Sequence, residues 1–188
     1  MIRITELAQE QVSRVVRSGD LAVDATAGNG RDTLFLARLV GPGGRVFAFD
    51  IQERALRQSA LLLGENELAE RVTLIHAGHE TMAAHIGGPV AAVMFNLGYL
   101  PGGDHAITTC PERTAAALAA SLELLRPGGV VTLVLYPGHP PGKKEREALL
   151  EYCCSLDGAA WGVIQVRLLN RRGAPPELLV LKKFTDIS

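Results

Sequence analysis

Short apolar runs alternate along the chain with longer stretches in which apolar residues recur every three or four positions. The first kind reads as strands and the second as helices. Residues 5–17 carry Leu7, Val12, Val15 and Val16 near helical spacing, and Gly19-Asp20 stops that helix. Leu21, Ala22 and Val23 form a short buried strand that runs through a glycine turn into a helix over 32–40, which Gly41-Pro42-Gly43-Gly44 breaks. A second strand spans 45–50 and a helix 53–63. A third strand spans 71–76, and a short helix or loop covers 79–86. The nearly all-apolar run 90–96 suits a parallel strand covered on both faces. A glycine-rich loop over 97–107 leads into a helix over 108–125, a turn at 126–129 and a fifth strand at 130–136. A loop over 137–142 precedes a helix over 143–155. Strands at 162–169 and 178–184 flank the hairpin loop 170–176.

Strands alternate with helices until the last pair. That order predicts an α/β, Rossmann-like fold: a seven-stranded, mostly parallel sheet with helices on both faces and an antiparallel C-terminal hairpin. There is no internal repeat and no linker composition, so residues 1–188 read as one domain. Polar or glycine-rich loops follow strands one, two, four and five, at the edge where parallel sheets bind ligands. Gly28 and Gly30 permit a tight turn and close approach of a ligand, and the helix start behind them presents free N–H groups. Asp24 stands at the end of the first strand. Asp50 closes the second, 20 residues after Gly30, at the spacing of a carboxylate that accepts hydrogen bonds from a ribose.

Composition narrows the class. At 188 residues and 47% apolar content the chain can bury a full core. A net charge of −1 argues against coating nucleic acid by charge alone, while leaving room for a local basic patch. No apolar run approaches the ~20 residues of a membrane span, and the first residues do not read as a signal peptide. Cys110, Cys153 and Cys154 lack C-x-x-C spacing and read as reduced thiols. The expectation is a cytoplasmic protein with no membrane partner.

The acidic residue followed by spaced glycines in Asp24-Ala-Thr-Ala-Gly28-Asn-Gly30, together with Asp50, resembles the class I S-adenosylmethionine-dependent methyltransferases, with Thr26 standing where a glycine is frequent. Four longer runs narrow the resemblance: residues 24–37, Phe49-Asp-Ile-Gln52, Asn96-Leu-Gly-Tyr-Leu-Pro-Gly-Gly-Asp104 and Tyr136-Pro-Gly-His139 are similar to the YtqB/MnmM-type family. That family was long labelled an rRNA methylase family. The members called MnmM methylate the 5-aminomethyl group of the wobble uridine, often 2-thiolated, in certain tRNAs.

The resemblance implies S-adenosylmethionine as cofactor. It implies a cofactor site built from Asp24, Ala27, Gly28, Asn29, Gly30, Asp32 and Thr33 around the turn and from Asp50, Ile51 and Gln52 after the second strand. His79 after the third strand, where this fold contacts adenine, and Asn96 and Leu97 after the fourth complete it. Asn96-Leu97-Gly98-Tyr99 resembles the Asn-Pro-Pro-Tyr motif of methyltransferases that act on amino nitrogens, with Leu97-Gly98 in place of the prolines. A carboxamide oxygen and a backbone carbonyl can accept both N–H bonds of an amine and aim its lone pair, and Tyr99 can stack on a base.

An alkylamine must shed a proton first. Tyr136, His139 and Asp104 lie in loops on the reactive edge as candidates, each equally readable as a loop-ordering group. His105 and His139 with Asp104 have no compact ligand spacing, so no metal is expected. Lys143-Lys-Glu-Arg146 and Arg171-Arg172 can meet phosphates or simply face solvent. The expected partner is a tRNA anticodon region, with ribosomal RNA as the alternative, and a homodimer is compatible with the pattern. Rival readings are a base-directed rRNA methyltransferase, a dinucleotide-binding oxidoreductase and a non-enzymatic nucleotide-binding module. The oxidoreductase pattern is incomplete, because Thr33 stands where a third glycine or alanine belongs.

Overall fold

The computed structural model describes residues 3–98 and 110–184. Its elements run α1 (Ile4–Ser13), β1 (Leu21–Asp24), α2 (Arg31–Val40), β2 (Arg45–Asp50), α3 (Glu53–Glu65), β3 (Val72–His76), β4 (Val90–Asn96), α4 (Pro111–Leu124), β5 (Leu125–Leu135), α5 (Pro140–Cys154), β6 (Trp161–Val166) and β7 (Glu177–Lys183). Short 3-10 turns occupy Ala69–Arg71 and His79–Ala84. The strands form one sheet in the order β3-β2-β1-β4-β5-β7-β6, with β7 antiparallel to both neighbours and the other adjacent pairs parallel. The α/β class and the C-terminal hairpin follow the sequence pattern.

Side chains alternate across the sheet with period two. Ala92 and Met94 of β4, Val130 and Val134 of β5, and Leu178 and Val180 of β7 pack with Ala8, Val12, Leu36, Ala37 and Leu63 from α1, α2 and α3. Val93 and Phe95, Val131, Leu133 and Leu135, and Leu179 and Leu181 pack with Leu118, Leu122, Leu149 and Cys153 from α4 and α5. β4, buried on both faces, is accordingly apolar up to its last residue. Among the described residues no helix is long and apolar enough to cross a membrane.

Several boundaries differ from the sequence expectation. The predicted turn at 126–129 lies within β5, where the pairing with β4 slips between Val90 and Ala92 and absorbs the extra residues as a bulge. α5 starts at Pro140, not at residue 143. Two prolines at its first positions lack only N–H groups that a helix start leaves unpaired. α4 likewise starts at Pro111. α1 ends at Ser13, and the stretch after it is tied by the Arg17 N–H, which donates to Asp20 Oδ2 at 2.7 Å. β6 stops at Val166, so residues 167–169 belong to the hairpin loop.

Two features bear on the site. First, β1 is flanked by β2 and β4, so the chain turns in opposite directions on either side of it and opens a crevice at the carboxyl ends. Second, the end of β5 is braced by buried Glu177, which pairs with Leu135 in the ladder. Its carboxylate accepts from Arg146 Nε at 2.7 Å, from Gln165 Nε2 at 2.8 Å and pairs with Arg167 Nε at 3.0 Å, joining α5, β6 and β7. Glu177→Ala removes the centre of this network and leaves a largely buried guanidinium. We expect a loss of about 2 kcal/mol of stability, read as a lower urea midpoint. A midpoint unchanged within error refutes the bracing role.

Candidate active site

The alternation that builds the core also aims the site. Asp24, Asp50 and Asn96 end β1, β2 and β4, each an even step from core residues on the face covered by α1 to α3: Ala22, Ala48 and Met94. Tyr136, two residues beyond Val134, packs on the same face. They meet at the carboxyl edge around a cavity of about 890 Å3 bounded by the described residues.

The glycine turn forms one wall. Gly28 and Gly30 have φ of 50° and 77°, a region that side chains with a Cβ rarely adopt. A Cβ on Gly30 would come within 2.9 Å of Ser59 Cα and Oγ on α3. Ser59 Oγ in turn donates to the Gly28 carbonyl at 3.2 Å. The turn is tied to both neighbouring strands: Ala25 N donates to Met94 O and Ala27 N to Phe49 O, each at 2.8 Å.

Asp24 holds the turn from beneath. Its Oδ1 accepts from Thr26 N at 3.1 Å and its Oδ2 from the Thr33 hydroxyl at 2.6 Å. Asp24, Gly30 and Thr33 do not line the cavity, so the expected direct contact of Asp24 with a ligand is replaced by a clamp that shapes the turn. Burial, helped by the negative charges of Asp32 and Asp50 and opposed by the two hydrogen bonds, raises its pKa to about 7. Asp50 does face the cavity. Its Oδ2 accepts from Gly28 N at 2.9 Å and its Oδ1 from Gln52 N at 2.8 Å, which fixes the carboxylate and leaves further lone pairs for a ligand. Ala27, Asn29, Asp32, Ile51, Gln52 and Leu97 also line the cavity.

His79 reaches the cavity from the far side of the sheet. It is buried edge-to-face on Phe95, and its Nδ1 lies 3.2 Å from the Ala25 carbonyl, which makes Nδ1 the donor. Burial lowers its pKa and keeps the ring neutral.

On the opposite wall, the Tyr136 hydroxyl donates to Asn96 Oδ1 at 2.9 Å, while Asn96 N donates to Thr26 Oγ1 at 2.8 Å. Burial, and after it the charge of Asp32, raises the Tyr136 pKa, so the phenol stays protonated and serves as a donor. His139 caps α5, its Nδ1 accepting from Gly142 N at 3.0 Å. That bond occupies the Nδ1 lone pair. Tyr99, Asp104 and His105 lie outside the described residues. Among the described residues no group of three or more His, Cys, Asp or Glu could hold a metal ion.

Several lining residues carried little local signal. Thr5 and Gln9 sit at i and i+4 on α1, and Gln9 Nε2 donates to Asp32 Oδ1 at 2.7 Å. That polar pair on an otherwise amphipathic helix was the available clue. Thr26, Arg31, Cys110 and Arg113 also line the cavity.

A family model described as putative rRNA methylase matches residues 46–182. The chain belongs to that family. The family-level resemblance seen in the sequence therefore holds, and the fold is that of the class I methyltransferases. The chain is 37% identical over 191 residues to the chloroplastic tRNA (mnm(5)s(2)U34)-methyltransferase of Arabidopsis thaliana, covering 96% of this chain and 70% of that one. A crystal structure of a putative rRNA methylase from Clostridium thermocellum is 44% identical, with a TM-score of 0.96 over 98% of this chain and 99% of that one. A putative methyltransferase from Streptococcus mutans in complex with SAH is 35% identical, with a TM-score of 0.90 over the same shares.

The Asp24 clamp gives a signed expectation within this family fold. A carboxyl whose folded-state pKa is raised from 3.8 to about 7 stabilises the fold below that range and loses the contribution as pH rises through it. Asp24→Asn keeps an oxygen for Thr26 N and cannot ionise. Its stability relative to wild type should therefore climb between about pH 4 and pH 7 and level off above that, as followed by urea unfolding. A pH-independent difference contradicts the assignment.

Proposed function

We propose that the chain is an S-adenosylmethionine-dependent methyltransferase that methylates the amino nitrogen of a 5-aminomethyl uridine at the wobble position of tRNA. The observation that carries the amine-directed reading is the Asn96–Tyr136 pair on the cavity wall. A carboxamide oxygen has two lone pairs, and Tyr136 uses one. The other accepts an N–H of the incoming amine, and the donated phenol bond stops the carboxamide from rotating.

The cavity suits the cofactor. Asp50, pinned by two backbone N–H groups, offers acceptors to a ribose diol, and the glycine turn admits close approach without Cβ atoms. When bound, the cofactor supplies an electrophilic methyl group on a sulfonium. The substrate nitrogen attacks only as the free amine, so its ammonium proton must leave first. Tyr136 and His139 are already committed as donor and helix cap. Asp32 is the remaining acidic group of the described residues on that wall: Gln9 orients its Oδ1, and burial raises its pKa toward that of a useful base, against the opposing effects of Gln9 and Arg31.

The Arabidopsis relative carries a tRNA wobble nucleoside in its name, whereas the family description points to rRNA. Transfer to tRNA from a strain that accumulates 5-aminomethyl uridine decides between them. Transfer to ribosomal RNA, with none to that tRNA, rejects the proposal.

Three variants separate the roles. Asp50→Ala should weaken S-adenosylmethionine binding at least about tenfold by calorimetry, the loss of one or two charge-assisted hydrogen bonds. Asn96→Ala should slow single-turnover transfer about a hundredfold, or ~2.7 kcal/mol, with cofactor affinity within a few fold. Wild-type transfer by Asn96→Ala would end the amine-directed mechanism. Asp32→Asn should lose turnover and the acidic limb of the rate profile at unchanged cofactor affinity. A tenfold fall in that affinity instead makes Asp32 a cofactor ligand.

A further inference from the structure

The start of β7 pairs with the end of β5, Glu177 opposite Leu135, so the loop before β7 overhangs the edge where the cavity opens. It touches the cavity wall: a Cβ on Gly138, between Tyr136 and His139, would lie 3.6 Å from the Ala174 carbonyl. Its base is rigid, held by Arg167 and Gln165 on Glu177, while Pro175 and Pro176 limit its conformations.

Charge is distributed unevenly here. Arg146 and Arg167 are consumed by Glu177. Lys143 and Lys144 on the first turns of α5, and Arg171 and Arg172 on the loop, are exposed and have no carboxylate partner among the described residues. Glu147, one turn beyond Lys143, makes no ion pair with it. In a chain with 19 basic and 20 acidic side chains, four unpaired cations on one rim are a local excess. Beside them Leu169 is 90% exposed. A leucine this bare contributes nothing to the core. Flanked by cations, it matches a surface that takes backbone phosphates and packs against an unstacked base. One leucine is too little apolar area for lipid insertion or for the apolar core of a typical protein interface.

We propose that the loop 167–176 and the first turns of α5 form the RNA-docking surface of the enzyme. Lys143, Lys144, Arg171 and Arg172 contact phosphates, and Leu169 packs against a loop base. The proposal rests on the reading that the substrate is an RNA.

The test uses the full chain with a fluorescent anticodon stem-loop for binding and the matching tRNA for methyl transfer. For single-stranded contacts each phosphate contributes about −0.7 to the slope of log affinity against log salt, so four cations give a slope near −3. Arg171→Glu with Arg172→Glu, and separately Lys143→Glu with Lys144→Glu, should raise the stem-loop Kd and the tRNA KM about tenfold or more and flatten the slope. Turnover at saturating tRNA and calorimetric affinity for S-adenosylmethionine should stay within about threefold. Leu169→Ala should raise KM about fivefold. Wild-type methylation of tRNA with unchanged KM in both double variants overturns the surface and leaves the activity intact. Absence of any RNA binding or transfer by the wild type overturns the substrate reading and the surface together. Binding to anionic vesicles of phosphatidylserine in preference to the stem-loop overturns it in favour of a membrane role.

Discussion

One buried carboxylate sets the geometry of the active site. Asp24 bonds the Thr26 N–H and the Thr33 hydroxyl, and so fixes both ends of the turn that carries β1 into α2. From that turn, Thr26 reaches Asn96 on β4, and Gly28 reaches Asp50 on β2 and Ser59 on α3. A buried carboxylate is costly to keep ionised, and its raised pKa expresses that cost. The hydrogen bonds only partly offset it. The arrangement exchanges some stability near neutral pH for a turn whose Ala25, Thr26, Ala27, Gly28 and Gly30 N–H groups each have a fixed partner.

Strand parity does the rest. Because side chains alternate, Asn96 and Tyr136 face one layer only if β4 and β5 pair in the observed register, with Asn96 opposite Val134. A slip of one residue would turn the Tyr136 phenol to the other face and break its bond to Asn96. The bulge in β5 lies at the opposite end of the strand, near Val90 and Leu125, so the irregular pairing is spent away from the site. The Glu177 network fastens the end of β5 to α5 and the hairpin, and keeps the register rigid where it matters.

Much of this was legible in the sequence because it is written in local chemistry. The seven strands with their C-terminal hairpin, the glycine turn and the place of Asp50 at a strand end follow from apolar runs, residues without Cβ atoms and spacing. What was not legible depends on partners distant in the chain. Asp24 looks like a ligand-facing acid until α2 brings Thr33 over it, and Tyr136 looks like a base until its partner turns out to be Asn96. Thr26 looked like a departure from a glycine pattern, yet its hydroxyl accepts from Asn96 N and adds a side-chain tie to β4. Prolines misled in the ordinary way: read as breakers, Pro140 and Pro141 open a helix, where the missing N–H groups cost nothing.

Under the proposed activity the electrostatics divide into two zones. The cavity and its supporting turn gather three carboxylates, Asp24, Asp32 and Asp50, against two lining guanidiniums, Arg31 and Arg113, the second of which pairs with Glu80, so the balance favours cationic and N–H-bearing groups. Lys143, Lys144, Arg171 and Arg172 sit outside, on α5 and the hairpin loop, without carboxylate partners among the described residues. A nearly neutral chain can then handle a polyanion, because the backbone stays on the rim and only a nucleobase bearing an amine enters. The same division sets a limit on substrates. A base without a protonatable arm gains nothing from the acidic wall. Selectivity for the amine is therefore an outcome of where charge is placed, in addition to the acceptor offered by Asn96.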